Sequence, residues 1–359
     1  MTRIRIGKRW VGDSDPTYFI ADISANHDGS LERAKTLIHL AAESGADAAK
    51  FQNFRRQEIV SQKGFDDLGK QMGHQTKWKK PVHEIYDDAM LPWDWTQSLK
   101  EECVKARIDF FSTPYDFGAV DMLDPFVDVY KIGSGDITWI ELIEYISKKH
   151  KPVILSTGAS DIQDVLRAVY AVKKFNRELV LMQCNTNYTA SLENFKHIHL
   201  NVLKTYLALF PNIVLGLSDH TPGHTTVLGA IALGARVIEK HLTDDTNRSG
   251  PDHSFSMMPA DWQEMVQRSR ELEYSLGSHV KQVADNESET VIVQRRCIRA
   301  ARDLPVGTIL TADDLHMLRP APSDSIPPYE LQRIVGHRLS KPLESGDYLQ
   351  WSMLYQGSD

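Results

Sequence analysis

Cysteine is scarce in this chain, and long apolar runs and a basic excess are missing altogether. Cys103, Cys184 and Cys297 are the only three cysteines in 359 residues. An odd number of widely spaced thiols makes no disulfide framework, so they read as small core residues of a reducing compartment. No stretch approaches the roughly 18 apolar residues of a membrane span. The opening Met1-Thr-Arg-Ile-Arg-Ile-Gly-Lys-Arg-Trp10 is basic but has no apolar run behind it. A soluble cytoplasmic protein with no membrane partner is expected. The formal net charge of -7 argues against the basic face of a general nucleic-acid binder, so no nucleic-acid partner is expected. Nor does a G-x-G-x-x-G follow the first strand-like run, which weakens a dinucleotide-binding reading.

What is present is a repeated alternation of short apolar runs and amphipathic stretches. Tyr18–Ser24, Ala46–Phe51, Ile108–Thr113, Val127–Ile132, Pro152–Thr157, Leu179–Cys184, Ile213–Ser218 and Arg236–His241 read as strands. Helical spacing fills the gaps, as in Leu31, Ala34, Leu37, Ile38 and Ala41 with Ser30 as N-cap and Gly45 as stop. Eight such units in about 270 residues predict a (β/α)8 TIM barrel rather than an open doubly wound sheet. Asn53 to Pro92 is a long polar insertion containing Lys77-Trp-Lys-Lys80, suited to a lid or substrate wall. The periodicity divides the chain into a barrel of 1–281, a linker of 282–295 and a small unit of 296–359. That unit shows short strand-like runs at Cys297–Ala300, Val306–Ile309 and Leu315–Pro320.

In a parallel barrel every strand ends at the same mouth. The closing residues here are Asp22, Lys50, Ser112-Thr113, Lys131, Ser156-Thr157, Asn185-Thr186-Asn187, Ser218-Asp219-His220 and His241. A lysine desolvated at a strand end costs several kcal/mol unless an anion meets it. Lys50 and Lys131, with Ser134, Ser156 and the turn Gly133-Ser-Gly135, therefore indicate a phosphate or carboxylate site. His220 and His241 close adjacent strands, with Asp219 and Asp252 near them in the chain. Such a pair can hold a divalent metal and leave positions open for water and substrate; Mn2+, Fe2+, Co2+ and Zn2+ all accept it. His27 could join the mouth, whereas His224 and His253 read as helix-start and loop residues. Two lysines on one cavity also admit a Schiff-base aldolase using Lys131 or Lys50 at lowered pKa.

Ala21-Asp-Ile-Ser-Ala-Asn-His-Asp-Gly29, Gly45-Ala-Asp-Ala-Ala-Lys-Phe-Gln52, Phe111-Ser-Thr-Pro114, Tyr130-Lys-Ile-Gly-Ser-Gly135, Ile154-Leu-Ser-Thr-Gly158, Gly216-Leu-Ser-Asp-His-Thr221, Ile238-Glu-Lys-His241 and Gly250-Pro-Asp252 together resemble the sialic acid synthase family. The tail from Ala300 to Leu354, including Leu318-Arg-Pro320, resembles the antifreeze-like (SAF) domain of the same enzymes. The resemblance implies condensation of phosphoenolpyruvate with an N-acetylated hexosamine such as N-acetylmannosamine, with phosphate released by C–O cleavage. It makes His220 and His241 the ligands of a divalent ion, Mn2+ first, with Mg2+ or Co2+ as substitutes. It assigns Lys50, Lys131, Ser134, Ser156, Thr186 and Ser218 to phosphoenolpyruvate, Tyr188, Asp252 and Arg319 to the sugar, and counts Thr113 and Asp136 among the substrate-binding residues. It also implies a homodimer in which the SAF domain of one subunit closes the partner's barrel. Asp22 and Asp136 take the catalytic positions where many relatives carry Glu, withdrawing each carboxylate by about 1.5 Å. Thr189 replaces a proline. The Ser-Ala-Asn-His wording is closer to pseudaminic acid synthases and Gly133-Ser-Gly135 to N-acetylneuraminate synthases, so a 2,4-diacetamido-trideoxy hexose, leading to legionaminic or pseudaminic acid, is the alternative acceptor.

Overall fold

Alternating arginines and isoleucines open the chain as an antiparallel hairpin, β1 (Arg3–Ile6) and β2 (Arg9–Gly12). The sequence reading had not anticipated it. Ile4, Ile6 and Val11 are buried, while Arg9 pairs with Asp47, whose other oxygen accepts from the Phe19 N–H at 2.9 Å. Asp47 and Asp109 stand at the amino ends of their strands, so the hairpin plugs the barrel opposite the mouth.

The computed structural model describes residues 2–355 and separates into two units, 1–277 and 278–359. The first unit is built on β3 (Tyr18–Asp22), β4 (Ala48–Asn53), β5 (Asp109–Pro114), β6 (Tyr130–Ile132), β7 (Val153–Ser156), β8 (Leu179–Cys184), β9 (Val214–Asp219) and β10 (Ala235–His241). They form one parallel sheet in the order β5-β4-β3-β10-β9-β8-β7-β6, with β5 and β6 side by side where the sheet nearly closes. Every residue of β3, β8 and β9 is buried. Continuous apolar runs are what such strands need, since one face meets the barrel interior and the other the helices.

The surrounding helices start where side chains can satisfy their free N–H groups. Ser30 accepts from Arg33 N at 3.3 Å at the head of Leu31–Glu43, and Asp161 with Asp164 forms a capping box at the head of Ile162–Lys173. Gly45 returns the chain to β4 with φ of +88°, and a Cβ there would meet Val266 at 3.1 Å. Glycine is therefore required both for the turn and for the close approach of Pro259–Leu276.

The Asn53–Pro92 insertion is not an extended loop. It folds into helices Arg56–Ile59, Gln62–Asp67 and Val82–Ala89 with a 3-10 turn at Gly73–Lys77. In the second unit, β11 (Cys297–Ala300) pairs antiparallel with β12 (Leu315–Leu318) over a core that includes Ile298, Leu310, Ile326, Ile334 and Leu349. The strand expected at Val306–Ile309 reduces to a single bridge from Ile309 to Arg338. The 282–295 stretch is not structureless either, because Glu287 accepts from Ala284 N at 3.2 Å and starts a helix at Ser288–Gln294. The Ile292 carbonyl there accepts from Ala321 N at 2.8 Å. No described helix is long and apolar enough to cross a membrane.

Candidate active site

Period-two alternation decides what reaches the mouth. On β9 and β10, Ser218, Glu239 and His241 face the barrel interior, and Asp219 and Lys240 face outward. Lys240 Nζ donates to Asp219 Oδ2 at 2.6 Å and to the Thr221 carbonyl at 2.5 Å, and Thr221 and Thr226 donate to the same carboxylate. Asp219 is thus a buried structural anchor beneath a helix. It does not accompany the histidines as the sequence had suggested.

A cavity of about 400 Å3 is lined by two lysines and four carboxylates, of which Asp22 and Glu239 meet the lysines. Lys50 Nζ lies 2.6 Å from Asp22 Oδ2 and 3.8 Å from Glu239 Oε1. Lys131 Nζ donates to Glu239 Oε1 at 2.9 Å, and Ser218 Oγ donates to the same oxygen at 3.2 Å. Burial pushes the Glu239 carboxyl up, but the two ammonium groups outweigh it and bring it down to about 2. Burial likewise opposes the Lys50 charge, and Asp22 and Glu239 reverse the effect and raise its pKa. This weighs against the Schiff-base expectation for Lys50, which needs a neutral amine; the carboxylates, not a second cation, set its charge.

Glu239 was absent from the sequence-based site, although it stands two residues before His241 and shares its face. The remaining floor residues gather as expected. Thr113, Ser134, Ser156 and Asp136 line the cavity, and Ser134 Oγ accepts from Gly158 N at 2.9 Å. Burial alone pushes the Asp136 carboxyl up to about 6.

His220 Nδ1 faces the Asn185 carbonyl at 2.9 Å. A carbonyl can only accept, so Nδ1 carries the proton and Nε2 keeps its lone pair. Burial and the neighbouring His241 hold the His220 pKa down to about 3, so the ring stays neutral. His241 lies 5.4 Å away between ring centroids, with Nε2 3.4 Å from Asp22 Oδ2 and Nδ1 buried without a hydrogen-bond partner. Two imidazoles at this spacing fit one divalent ion bound about 2.1 Å from a nitrogen of each. No group of three His, Cys, Asp or Glu side chains placed to hold a metal ion occurs among the described residues.

The rim is aromatic. Tyr188 packs on His220 at 4.4 Å, Phe255 on His241 at 4.9 Å, and His74 on Tyr188 at 4.9 Å between centroids. Tyr86 and Tyr115 both pack on Phe54 and line the cavity. His74, Tyr86 and Trp78 come from the insertion, which is therefore a wall of the site. Asp252 is brought over the mouth by hydrogen bonds from Ser24 Oγ at 2.5 Å and Ala25 N at 3.3 Å, with Ser24 at a φ of +45°.

Thr186 and His27 lie outside the cavity lining, and Arg319 belongs to the second unit. Thr186 is outside the cavity lining and crowds Gly158, where an added Cβ would sit 2.4 Å from its methyl. Arg319 is exposed on the second unit. His27 turns away from the cavity, its Nδ1 accepting from Gly29 N at 3.1 Å and its ring edge on Trp95. His253, read as a loop residue, is fully buried between Asp28 and Thr243, at 2.8 and 2.7 Å.

A model described as the NeuB family matches residues 37–281, and one described as the SAF domain matches 295–354. The N,N'-diacetyllegionaminic acid synthase of Legionella pneumophila is 36% identical over 346 residues, 95% of each chain. The human N-acetylneuraminate-9-phosphate synthase is 32% identical over 340 residues, 94% of this chain and 93% of that one. The crystal structure of the N-acetylneuraminic acid synthetase of Leptospira borgpetersenii, 28% identical, matches with a TM-score of 0.70 over 81% of this chain and 95% of its own.

Proposed function

The chain belongs to the NeuB family, and from that premise we propose that it is a nonulosonic acid synthase that condenses phosphoenolpyruvate with an N-acetylated hexosamine, N-acetylmannosamine being the first candidate. The observation that carries this reading is a set of buried polar atoms without partners. Asp22 Oδ1, Thr113 Oγ1, Glu239 Oε2 and His241 Nδ1 are all orphaned and all belong to residues lining one cavity. Orphaned buried groups cost about 1–3 kcal/mol each, so their convergence marks a site preorganised for a polar ligand.

In the reaction, carbon three of phosphoenolpyruvate attacks the sugar aldehyde, water adds at carbon two, and the tetrahedral intermediate expels phosphate by C–O cleavage. Lys50 and Lys131 hold the carboxylate and phosphate through the charge movement, assisted by Ser134, Ser156 and Ser218. His220 and His241 would hold the divalent ion, most reasonably Mn2+, whose chemistry is Lewis-acid polarisation of the aldehyde oxygen. Asp136, with its raised pKa, is poised to take a proton from the attacking water. Asp22 keeps Lys50 charged and oriented. Tyr188 and Asp252 contact the sugar. A homodimer, with the small domain of one subunit over the partner's barrel, would deliver Arg319 to the acceptor. Phosphoenolpyruvate is a cytoplasmic metabolite, which supports a cytoplasmic location.

Phosphate release from phosphoenolpyruvate against a panel of amino sugars, with Mn2+ and with EDTA, tests the proposal. The relative in Legionella supports including 2,4-diacetamido-trideoxy hexoses, and the panel separates them from N-acetylmannosamine. His241→Ala should abolish turnover while the circular dichroism spectrum is retained; an insoluble variant would mark a structural histidine instead. Borohydride trapping with pyruvate that labelled Lys131 or Lys50 would move the protein to the aldolases.

A further inference from the structure

Two carbon centres react, the sugar aldehyde and carbon two of phosphoenolpyruvate, and the mouth of the barrel has two sides. His220 and His241 stand at the ends of β9 and β10, and β5 and β6, side by side, lie diametrically opposite them in the sheet order. On that far side Tyr115 follows β5 and Asp136 follows β6, and both line the cavity of about 400 Å3. The Tyr115 ring stands edge-on to Phe54, 5.8 Å between centroids. Its hydroxyl reaches the turn that carries Asp136, because a Cβ built on Gly133 would lie 3.6 Å from Tyr115 Oη. Neither this hydroxyl nor the Asp136 carboxyl has a hydrogen-bond partner among the described residues. Burial, with Asp136 as the foremost charge acting on it, holds the phenol pKa well above its ordinary value, so Tyr115 keeps its proton.

Packing on Phe54 needs only the ring of Tyr115, so the hydroxyl calls for a partner of its own. Two polar groups that share a cavity without touching are completed by a molecule held between them, and a water has the size and the hydrogen-bonding capacity to do so. We propose that Tyr115 is a catalytic residue whose hydroxyl, with Asp136, holds the water that attacks carbon two of phosphoenolpyruvate. This rests on the synthase reading above. The water donates one hydrogen to Tyr115 Oη and the other to the Asp136 carboxylate, which leaves a lone pair directed at the carbon. Carbon two is electron-deficient once carbon three has bonded to the aldehyde, and it takes that electron pair. The new C–O bond forms as the O–H bond toward Asp136 breaks, and the carboxylate receives the proton. Tyr115 keeps its own proton throughout, and the phosphate ester stays on carbon two until the later cleavage. The two sides of the mouth thus serve different carbons, the histidines the aldehyde and the Tyr115–Asp136 pair carbon two.

Tyr115→Phe removes the hydroxyl and keeps the ring, so the thermal unfolding midpoint should be unchanged. In the full-length protein supplied with Mn2+, kcat for phosphate release should fall about tenfold, as expected for one hydrogen bond to a reacting atom, with KM for both substrates unchanged. Because the pair acts as a unit, Tyr115→Phe combined with Asp136→Asn should be no more than about twofold slower than Asp136→Asn alone. A full further tenfold loss in the double variant overturns the proposal, since the two groups would then act on different atoms. An unchanged kcat overturns it as well, and so does an effect confined to the KM of the sugar, which would make Tyr115 a sugar contact. A crystal structure with phosphoenolpyruvate and Mn2+ supplies a readout besides turnover. It should show a water about 3 Å from both Tyr115 Oη and an Asp136 oxygen, lost in Tyr115→Phe; a gap without that water overturns the proposal. If no amino sugar supports phosphate release, the synthase reading falls and takes the role of the water with it. Normal turnover that is indifferent to Tyr115→Phe defeats this inference alone.

Discussion

Removing the Glu239 carboxylate would leave the buried Lys50 and Lys131 with Asp22 as the one carboxylate still in ion-pair contact with either among the described residues. Breaking a buried pair in this way costs about 3–5 kcal/mol, so Glu239→Gln should lower the urea midpoint by an amount matching that loss; an unchanged midpoint would mean that water already screens the floor. Asp136 makes a different prediction. Its folded pKa of about 6 lies above the ordinary 3.8, so the folded state holds the proton more tightly than the unfolded one. The stability this contributes is full below about pH 4 and is lost as pH rises through 6. The basic form appears over the same interval, so kcat/KM should rise through about pH 6. Asp136→Asn should remove both the acidic limb of the activity profile and the corresponding slope in stability. Glu239 shows how far strand periodicity reads. Glu239 was legible from its two-residue offset to His241, but its role required seeing two lysines from distant strands meet one oxygen.

Among the elements, the turn after β7 is the tightest part of the floor. Gly158 donates its N–H to Ser134 Oγ, and an added Cβ would meet Thr186 at 2.4 Å and Ser134 Oγ at 2.9 Å. Gly158→Ala should therefore displace the Ser134 turn, raising the KM for phosphoenolpyruvate at least severalfold while the thermal unfolding of the barrel shifts little. A KM unchanged within error would show that the turn gives way freely. The insertion teaches the opposite lesson about legibility. Its length and polarity marked it as a wall or lid, but short polar helices with Val82 as their one buried residue have too weak a periodicity to be seen in sequence. The helix at Ser288–Gln294 escaped notice for the same reason, being exposed on nearly all sides.

At the scale of the whole molecule, each unit has its own apolar core. A chain ending at Gly277 should therefore fold, with a cooperative unfolding transition of its own. If the small domain closes a partner's barrel, that fragment should lose turnover and sediment as a monomer; an active fragment would refute the arrangement. The sequence by itself determined the barrel, because eight buried strands need runs of apolar residues that recur at regular intervals and few other folds tolerate them. It also determined the chemical kinds of residue at the mouth, since parallel strands all end on one side. Only the tertiary structure decided which of those residues meet. Turning alternate side chains inward paired Lys131 with Glu239, sent Asp219 to the outer face with Lys240, and left Thr186 beside Gly158. These outcomes depend on strand register and barrel closure, which join residues from 21 to 108 positions apart and leave no local pattern in the chain.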